Sequence, residues 1–270
     1  MEYNPAAIQA LIWARIHQKG FIHWTEGTLH SERSIGATQK LTRRIICGNA
    51  DACIASSTKS KEKLLAWGVP DEKISVSLLT VDISKFRKVE REPAPGRILY
   101  VGSMIPRKGL DLLMDALKYV DYDFILHIVG NGTDEEISKL KETAEANGIA
   151  DRVVFRGFLQ GDALAEEYRT AQVFVLPTRE DCFGLVLLEA MCAGVPIVAS
   201  KYADGAYDVI TDGENGYIAD PFCPEVFGKA IESILCAPMS CKDVNSCKAE
   251  AFSFEEVSKG IMSAISFVEK

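Results

Sequence analysis

The chain has 270 residues, a length that holds one large domain or two small ones. Hydrophobic residues make up 47% and charged residues 25%, with only 10 prolines, which excludes a disordered or fibrous protein. Thirty basic against 38 acidic side chains leave a net charge of −8, a field that repels phosphate backbones and argues against nucleic acid as a partner. No apolar run reaches the roughly 18 residues that a membrane-spanning helix needs. Met1-Glu2 leads into Asn4-Pro5 rather than into a charged and then apolar leader, so the expectation is a cytoplasmic protein. The eight cysteines contain no C-x-x-C pair, and Cys236, Cys241 and Cys247 have neither a nearby histidine nor zinc-site spacing, so reduced thiols and no metal are expected.

Along the first 86 residues, strand candidates at 21–24, 52–55 and 74–79 are separated by helical patterns near 31–48 and 58–67. Two or three strands cannot close a doubly wound domain, so 1–86 reads as an incomplete N-terminal domain. Arg33, Lys40, Arg43, Arg44, Lys59, Lys61 and Lys63 crowd this stretch, either as a solvated helix face or as a patch for an anionic lipid or acceptor. The charge mixture and Pro93-Ala-Pro95-Gly96 place a linker at 87–96. From Arg97, β-branched runs at 97–102, 124–130, 152–155, 173–176, 195–199 and 216–219 alternate with amphipathic stretches, as in a parallel sheet covered on both faces. Residues 97–252 therefore read as a doubly wound α/β domain. After a Cys- and Ser-containing loop, 253–270 returns to helical periodicity and is long enough to cross back to the first domain. His127 alternates with apolar neighbours and reads as a core residue.

In open parallel sheets ligands sit beyond the carboxyl ends of the strands, so the glycine-bearing turns there are the candidate sites. Gly102-Ser103 leads to Arg107-Lys108-Gly109 and an amphipathic helix; two adjacent cations before a helix start suit a phosphate, and equally an ordinary solvated turn. Gly130-Asn131-Gly132 lacks the third glycine of a dinucleotide fingerprint and reads as a tight turn with close backbone approach. The third stretch is richest. After Pro177, a loop carries Glu180 and Asp181, Gly184 opens a helix with free N–H groups, and Glu189 follows inside it. An anion on the helix start flanked by the two acids would grip both ends of a phosphorylated sugar; capping plus a solvated glutamate explains the pattern as well.

These residues resemble the C-terminal nucleotide-sugar-binding domain of retaining GT-B glycosyltransferases of family 4, also called glycosyl transferase group 1. Six elements match in order: Gly102 with Arg107-Lys108-Gly109, Val129-Gly130-Asn131-Gly132, Phe155-Arg156-Gly157, Pro177, the acid-x7-Glu element from Asp181 to Glu189, and Gly194-x-Pro196. Residues 20–86 resemble the last part of the family's N-terminal domain, with 21–32 facing the cleft, and the terminal helix resembles the one that crosses back. The first half of that N-terminal domain has no counterpart before Met1.

The resemblance implies a GT-B-like fold and a donor site. Lys108 would contact the donor diphosphate, backbone near Phe183, Gly184 and Leu185 would hold its oxygens, Glu189 would bind the ribose and Asp181 would face the transferred sugar. The Arg156-Gly157-Phe158 segment would meet the base. Two positions depart from the pattern: Asp181 stands where the family often has Glu, and Ser103 where a basic residue often follows the glycine, a charge Arg107 would replace. Glu26 and His30 are the acceptor-side candidates. Departure of a diphosphate needs its charge stabilised, which a helix N-terminus with Lys108 and Arg107 does without metal. Asp121-Tyr-Asp123 has the letters of a metal motif but precedes its strand. The expectation is a retaining transferase using a nucleotide diphosphate sugar and a saccharide or lipid-linked acceptor, with no cofactor. Peripheral contact with the inner membrane face would run through 33–63. The alternative is a catalytically silent nucleotide-sugar-binding protein, with a GT-B sugar epimerase as a third option.

Overall fold

The computed structural model describes residues 5–87 and 90–269; Lys88 and Val89 of the expected linker lie outside the described residues. The chain forms two compact units, one running to Thr80 and resuming at Glu250, the other spanning Val81–Ala249.

In the first unit, α1 (Pro5–Ile16), β1 (Ile22–Thr25), α2 (Ala37–Asn49), β2 (Ala52–Ala55), α3 (Thr58–Ala66) and β3 (Ile74–Val76) follow one another. The strands form a parallel sheet of order β1-β2-β3. Alternation along β2 sends Cys53 and Ala55 into a core with Cys47, Leu64, Val69 and Ile74, and Ala52 and Ile54 to the opposite face. Burial pushes the Cys53 thiol up to about 12, so it packs as a small hydrophobe. On the opposite face lies the C-terminal helix Phe254–Val268, whose Ala264 packs against Ala52 and Ile54. A Cβ on its Gly260 would stand 2.1 Å from the Val76 carbonyl oxygen, so the helix comes this close only through glycine.

Two elements are shorter than the sequence predicts. The helix expected from 31 begins at Ala37, because Thr28 and Ser31 exchange side-chain and backbone hydrogen bonds in a turn and the Gln39 side chain accepts from the Gly36 N–H. β3 stops at Val76 rather than 79, where Ser77 turns its hydroxyl to the Val257 carbonyl.

The second unit contains α4 (Ile83–Arg87), β4 (Arg97–Val101), α5 (Leu110–Leu117), β5 (Ile125–Val129), α6 (Asp134–Ala146), β6 (Val153–Gly157), α7 (Asp162–Thr170), β7 (Val173–Leu176), α8 (Leu185–Cys192), β8 (Ile197–Ser200), α9 (Ala206–Val209), β9 (Gly216–Ala219), α10 (Pro224–Cys236) and α11 (Lys242–Ala251); the C-terminal helix is α12. Its six strands are all parallel, in the order β6-β5-β4-β7-β8-β9. Every residue of β7 and β8 is buried, which is why they read as unbroken apolar runs. Residues 90–96 run along this unit: Glu92 and Ala94 donate to the Arg169 and Thr170 carbonyls, and the Arg91 guanidinium reaches the Gly194 and Ala171 carbonyls. Part of the expected Cys- and Ser-containing loop is the helix α11. It is held from within, with Ala249 buried and Asn245 accepting from the Asn215 side chain at 2.8 Å. Asp121–Asp123 lies in the connection from α5 to β5.

Candidate functional site

The chain builds outward from β4 to β6 on one side, then returns to start β7 on the other. The topological switch point therefore falls between β4 and β7, and the crevice beyond their carboxyl ends is where such a sheet binds ligands. Backbone bonds join the strand ends into one ledge: the Gly102 N–H donates to Val129, the Gly130 N–H to Gly157, and the Met104 N–H to Asn131. A Cβ on Gly130 would stand 1.9 Å from the Gly102 carbonyl oxygen, which is the close approach expected of that turn. Exposed Ser103 is anchored through its carbonyl by the Tyr100 hydroxyl at 2.8 Å.

Beyond β4, Pro106–Lys108 form one tight helical turn and Gly109 starts α5 in the left-handed region, with φ 73°. A Cβ there would meet the Pro177 carbonyl oxygen at 2.1 Å, so glycine lets the start of α5 abut the end of β7. The loop after β7 is then fastened to this turn. The Thr178 hydroxyl and the Arg179 N–H donate to the Arg107 carbonyl, the Arg107 guanidinium donates to the Glu180 carbonyl at 2.6 Å, and Arg179 grips Asp111 with two bonds of 2.6 and 2.8 Å. The consequence is a contact between residues 73 apart in sequence: Lys108 Nζ lies 2.5 Å from Asp181 Oδ2, each side chain about 15% exposed. The Asp181 backbone is tied to the segment after β8, donating to Tyr202 and accepting from Asp204, while its Oδ1 accepts from the Phe183 N–H at 3.3 Å.

Gly184, at φ 82°, turns the chain into α8, and no side chain caps the first N–H groups of that helix. One turn in, Glu189 Oε2 accepts from the Tyr168 hydroxyl at 2.8 Å. Burial holds the Glu189 carboxyl above its usual range, a rise the Tyr168 bond only partly offsets. Next to Tyr168 on α7, Glu167 accepts from Arg156 at 2.7 Å and pairs with His127 Nδ1 at 2.7 Å. Burial opposes ionisation of Glu167, but these two partners prevail and hold its carboxyl below the usual range. His127 is thus buried as expected, yet as a hydrogen-bonding partner. Gly157 has φ 70° and Phe158 is 62% exposed at the end of β6.

The structure joins Lys108 to Asp181 directly, and α7 ties down Arg156 and Glu189 through neighbouring residues. Arg107 spends part of its guanidinium on the Glu180 carbonyl. The acceptor candidates lie in the first unit: exposed Glu26, whose carbonyl accepts from Ser60 Oγ at 3.0 Å, and His30, whose Nε2 is 2.7 Å from the Arg33 guanidinium. Sequence reasoning missed Glu167 and Tyr168; the only signal was Tyr168 recurring one turn after Leu164 on the apolar stripe of α7. Among the described residues no group of three or more His, Cys, Asp or Glu side chains could hold a metal ion, and no helix is long and apolar enough to cross a membrane.

The architecture is that of the GT-B-type α/β proteins. The lipopolysaccharide outer core galactosyltransferase WaaB superposes over 96% of this chain and 72% of its own with a TM-score of 0.81 at 23% identity. Anabaena Alr3699/HepE in complex with UDP does so over 97% and 76%, with a TM-score of 0.82 at 20% identity. The model of the family described as glycosyl transferases group 1 matches residues 82–251, more than half of the sequence, and the chain belongs to that family. D-inositol 3-phosphate glycosyltransferase of Geodermatophilus obscurus is 29% identical over 239 residues, 81% of this chain and 53% of its own length. Mannosylfructose-phosphate synthase of Agrobacterium fabrum is 33% identical over 140 residues, 48% of this chain and 31% of its own. The chain spans about half the length of the first of these relatives.

Proposed function

We propose that this protein is a retaining glycosyltransferase that moves a sugar from a nucleotide diphosphate sugar to a saccharide or lipid-linked saccharide acceptor. The observation that carries the reading is the Lys108–Asp181 pair, set at the switch point between the start of α5 and the uncapped start of α8. Lys108 takes the diphosphate, and the N–H groups around Phe183, Gly184 and Leu185 take its remaining oxygens. The charge that develops as the diphosphate leaves is met by fixed donors already in place, so the reaction runs without a metal ion. Asp181 faces the transferred sugar, Glu189 accepts from the ribose hydroxyls, and the Arg156–Phe158 ledge holds the base. Gly102, Ser103 and Gly130 let the donor approach backbone closely. Glu26 and His30 serve the acceptor. Peripheral attachment at the inner membrane face, through the basic 33–63 stretch of a cytoplasmic protein, fits a lipid-linked acceptor.

Complexes of the Anabaena neighbour with UDP and with UDP-glucose support starting with uridine donors. The test is calorimetric titration of uridine, guanosine and adenosine diphosphate sugars, followed by the anomeric configuration of any product. Inversion at the anomeric carbon refutes the retaining reading, and absence of binding by every donor refutes the site. A second reading, nucleotide-sugar binding without transfer, is favoured by the three-stranded sheet of the first unit and the exposed Ile12, Trp13 and Ile16 on α1. It is decided by comparing donor binding with turnover in the same preparation.

A further inference from the structure

Two consecutive residues of α7, Glu167 and Tyr168, each hold a residue of the proposed donor site. Successive side chains on a helix point about 100° apart, so one short helix reaches two different neighbours. Glu167 accepts from Arg156 near the end of β6, and Tyr168 donates to Glu189 on α8. Glu167 spends both carboxylate oxygens, one on Arg156 and one on His127 Nδ1. Tyr168 has one polar atom and one polar partner.

The direction of that hydroxyl is set by how the ring is seated. Tyr168 is fully buried; its ring stands edge-on to Phe86 of α4 with centroids 5.7 Å apart and lies beside Phe174 of β7 at 6.0 Å. A phenylalanine would fill the same apolar seat, so packing alone does not account for the hydroxyl. What the hydroxyl adds is the 2.8 Å bond to Glu189 Oε2. Burial keeps its proton on well above the usual phenol range, so it is a donor at any working pH.

The bond does not use up the carboxylate. An ionised carboxylate accepts several hydrogen bonds, and Glu189 Oε1 makes none among the described residues. A glutamate on a helix has three side-chain torsions, and a ligand that has to freeze them on arrival binds more weakly than one that finds them already fixed. We propose that Tyr168 is a positioning residue for the ribose of the nucleotide: its hydroxyl anchors Glu189 Oε2 and so presents Oε1 to the ribose hydroxyls before the nucleotide arrives. The inference rests on the donor-site reading and adds to it a buried residue that acts without touching the nucleotide.

Tyr168→Phe keeps the ring and removes the hydroxyl alone. UDP, GDP and ADP, each beside its 2′-deoxy analogue, and inorganic pyrophosphate are titrated calorimetrically into the parent protein, Tyr168→Phe and Glu167→Gln. The parent binds its best nucleotide at least about tenfold more tightly than the 2′-deoxy form, as expected for a hydroxyl donating to a carboxylate. In Tyr168→Phe that ratio falls by about threefold or more while pyrophosphate affinity stays unchanged, a split that general loosening of the fold does not produce. Glu167→Gln disturbs the same helix through its other partners and leaves the ratio where it is. An unchanged ratio in Tyr168→Phe overturns the proposal, as does an equal fall in both variants or a loss of pyrophosphate binding in step with nucleotide. A parent that binds pyrophosphate and nucleotide but does not distinguish the 2′-deoxy form leaves the diphosphate site standing and overturns this inference alone. A parent that binds neither nucleotide nor pyrophosphate refutes the donor-site reading and this inference with it.

Discussion

Replacing Glu189 by Gln sets stability against function at one atom. The carboxylate is largely withdrawn from water and has one protein partner, the Tyr168 hydroxyl, and burial outweighs that bond in setting its protonation. An amide of the same shape still accepts from Tyr168 but carries no charge to desolvate. At neutral pH the variant is expected to gain about 1 kcal/mol, seen as a rise of roughly 2–4 °C in melting temperature. The sign with pH follows from the raised carboxyl. The native state holds its proton to higher pH than the unfolded chain does, so the penalty is present above the raised pKa and disappears as pH falls through it. The melting curves of the two proteins should converge on acidification. Nucleotide binding moves the other way: two ribose hydroxyls donating to a carboxylate rather than an amide differ by about 1 kcal/mol each, or roughly 30-fold in Kd together. Scanning calorimetry across pH and isothermal titration with UDP read the two effects. A lower melting temperature at neutral pH refutes the burial argument, and unchanged UDP affinity refutes the ribose assignment.

Lys108→Ala should weaken nucleotide diphosphate by about 10- to 150-fold, a lost charged hydrogen bond, and monophosphate by much less; equal losses in the two titrations remove Lys108 from the diphosphate. Because Asp181 holds the Lys108 ammonium, Asp181→Asn should weaken sugar nucleotide while leaving plain diphosphate unchanged or tighter, and a parallel loss of both contradicts its place at the sugar. Glu167→Gln takes charge from an acceptor that His127 and Arg156 share, so stability should fall by about 1.5–3 kcal/mol near pH 7. Its carboxyl is held low, so that contribution is present above the unfolded pKa and lost as pH falls through the folded one; an unfolding scan in which the variant loses as much on acidification as the parent shows that Glu167 is not the group responsible. Transfer by the protein should survive EDTA, and abolition restored by added Mg²⁺ would show that a metal ion meets the leaving charge.

What the sequence makes legible here is what the backbone demands. Gly109 and Gly130 are visible because a Cβ at either would collide with a neighbouring carbonyl, and Pro177 and Gly184 because a strand must end and a helix begin. The unbroken apolar runs of β7 and β8 are visible because both faces of a parallel sheet are covered. Side-chain pairing across the crevice has no such trace. Lys108 and Asp181 lie 73 residues apart, and each looks like an independent ligand until the loop after β7 is fastened to the turn before α5. Tyr168 reads as one more apolar residue of α7 because its ring does pack, edge-on to Phe86 and beside Phe174, and nothing in its spacing shows where the hydroxyl goes. The helix α11 is hidden for the opposite reason: Ser, Cys and Asn populate it, and it is fixed by tertiary partners such as Asn215 rather than by propensity. The same asymmetry governs the proposed donor site. Gly109 and Gly130 can be changed only by moving the backbone, whereas Glu167 and Tyr168 act on their neighbours through side chains alone. Nucleoside preference is therefore expected to be tuned from α7, through the orientation of Arg156 and Glu189, with the switch point left intact.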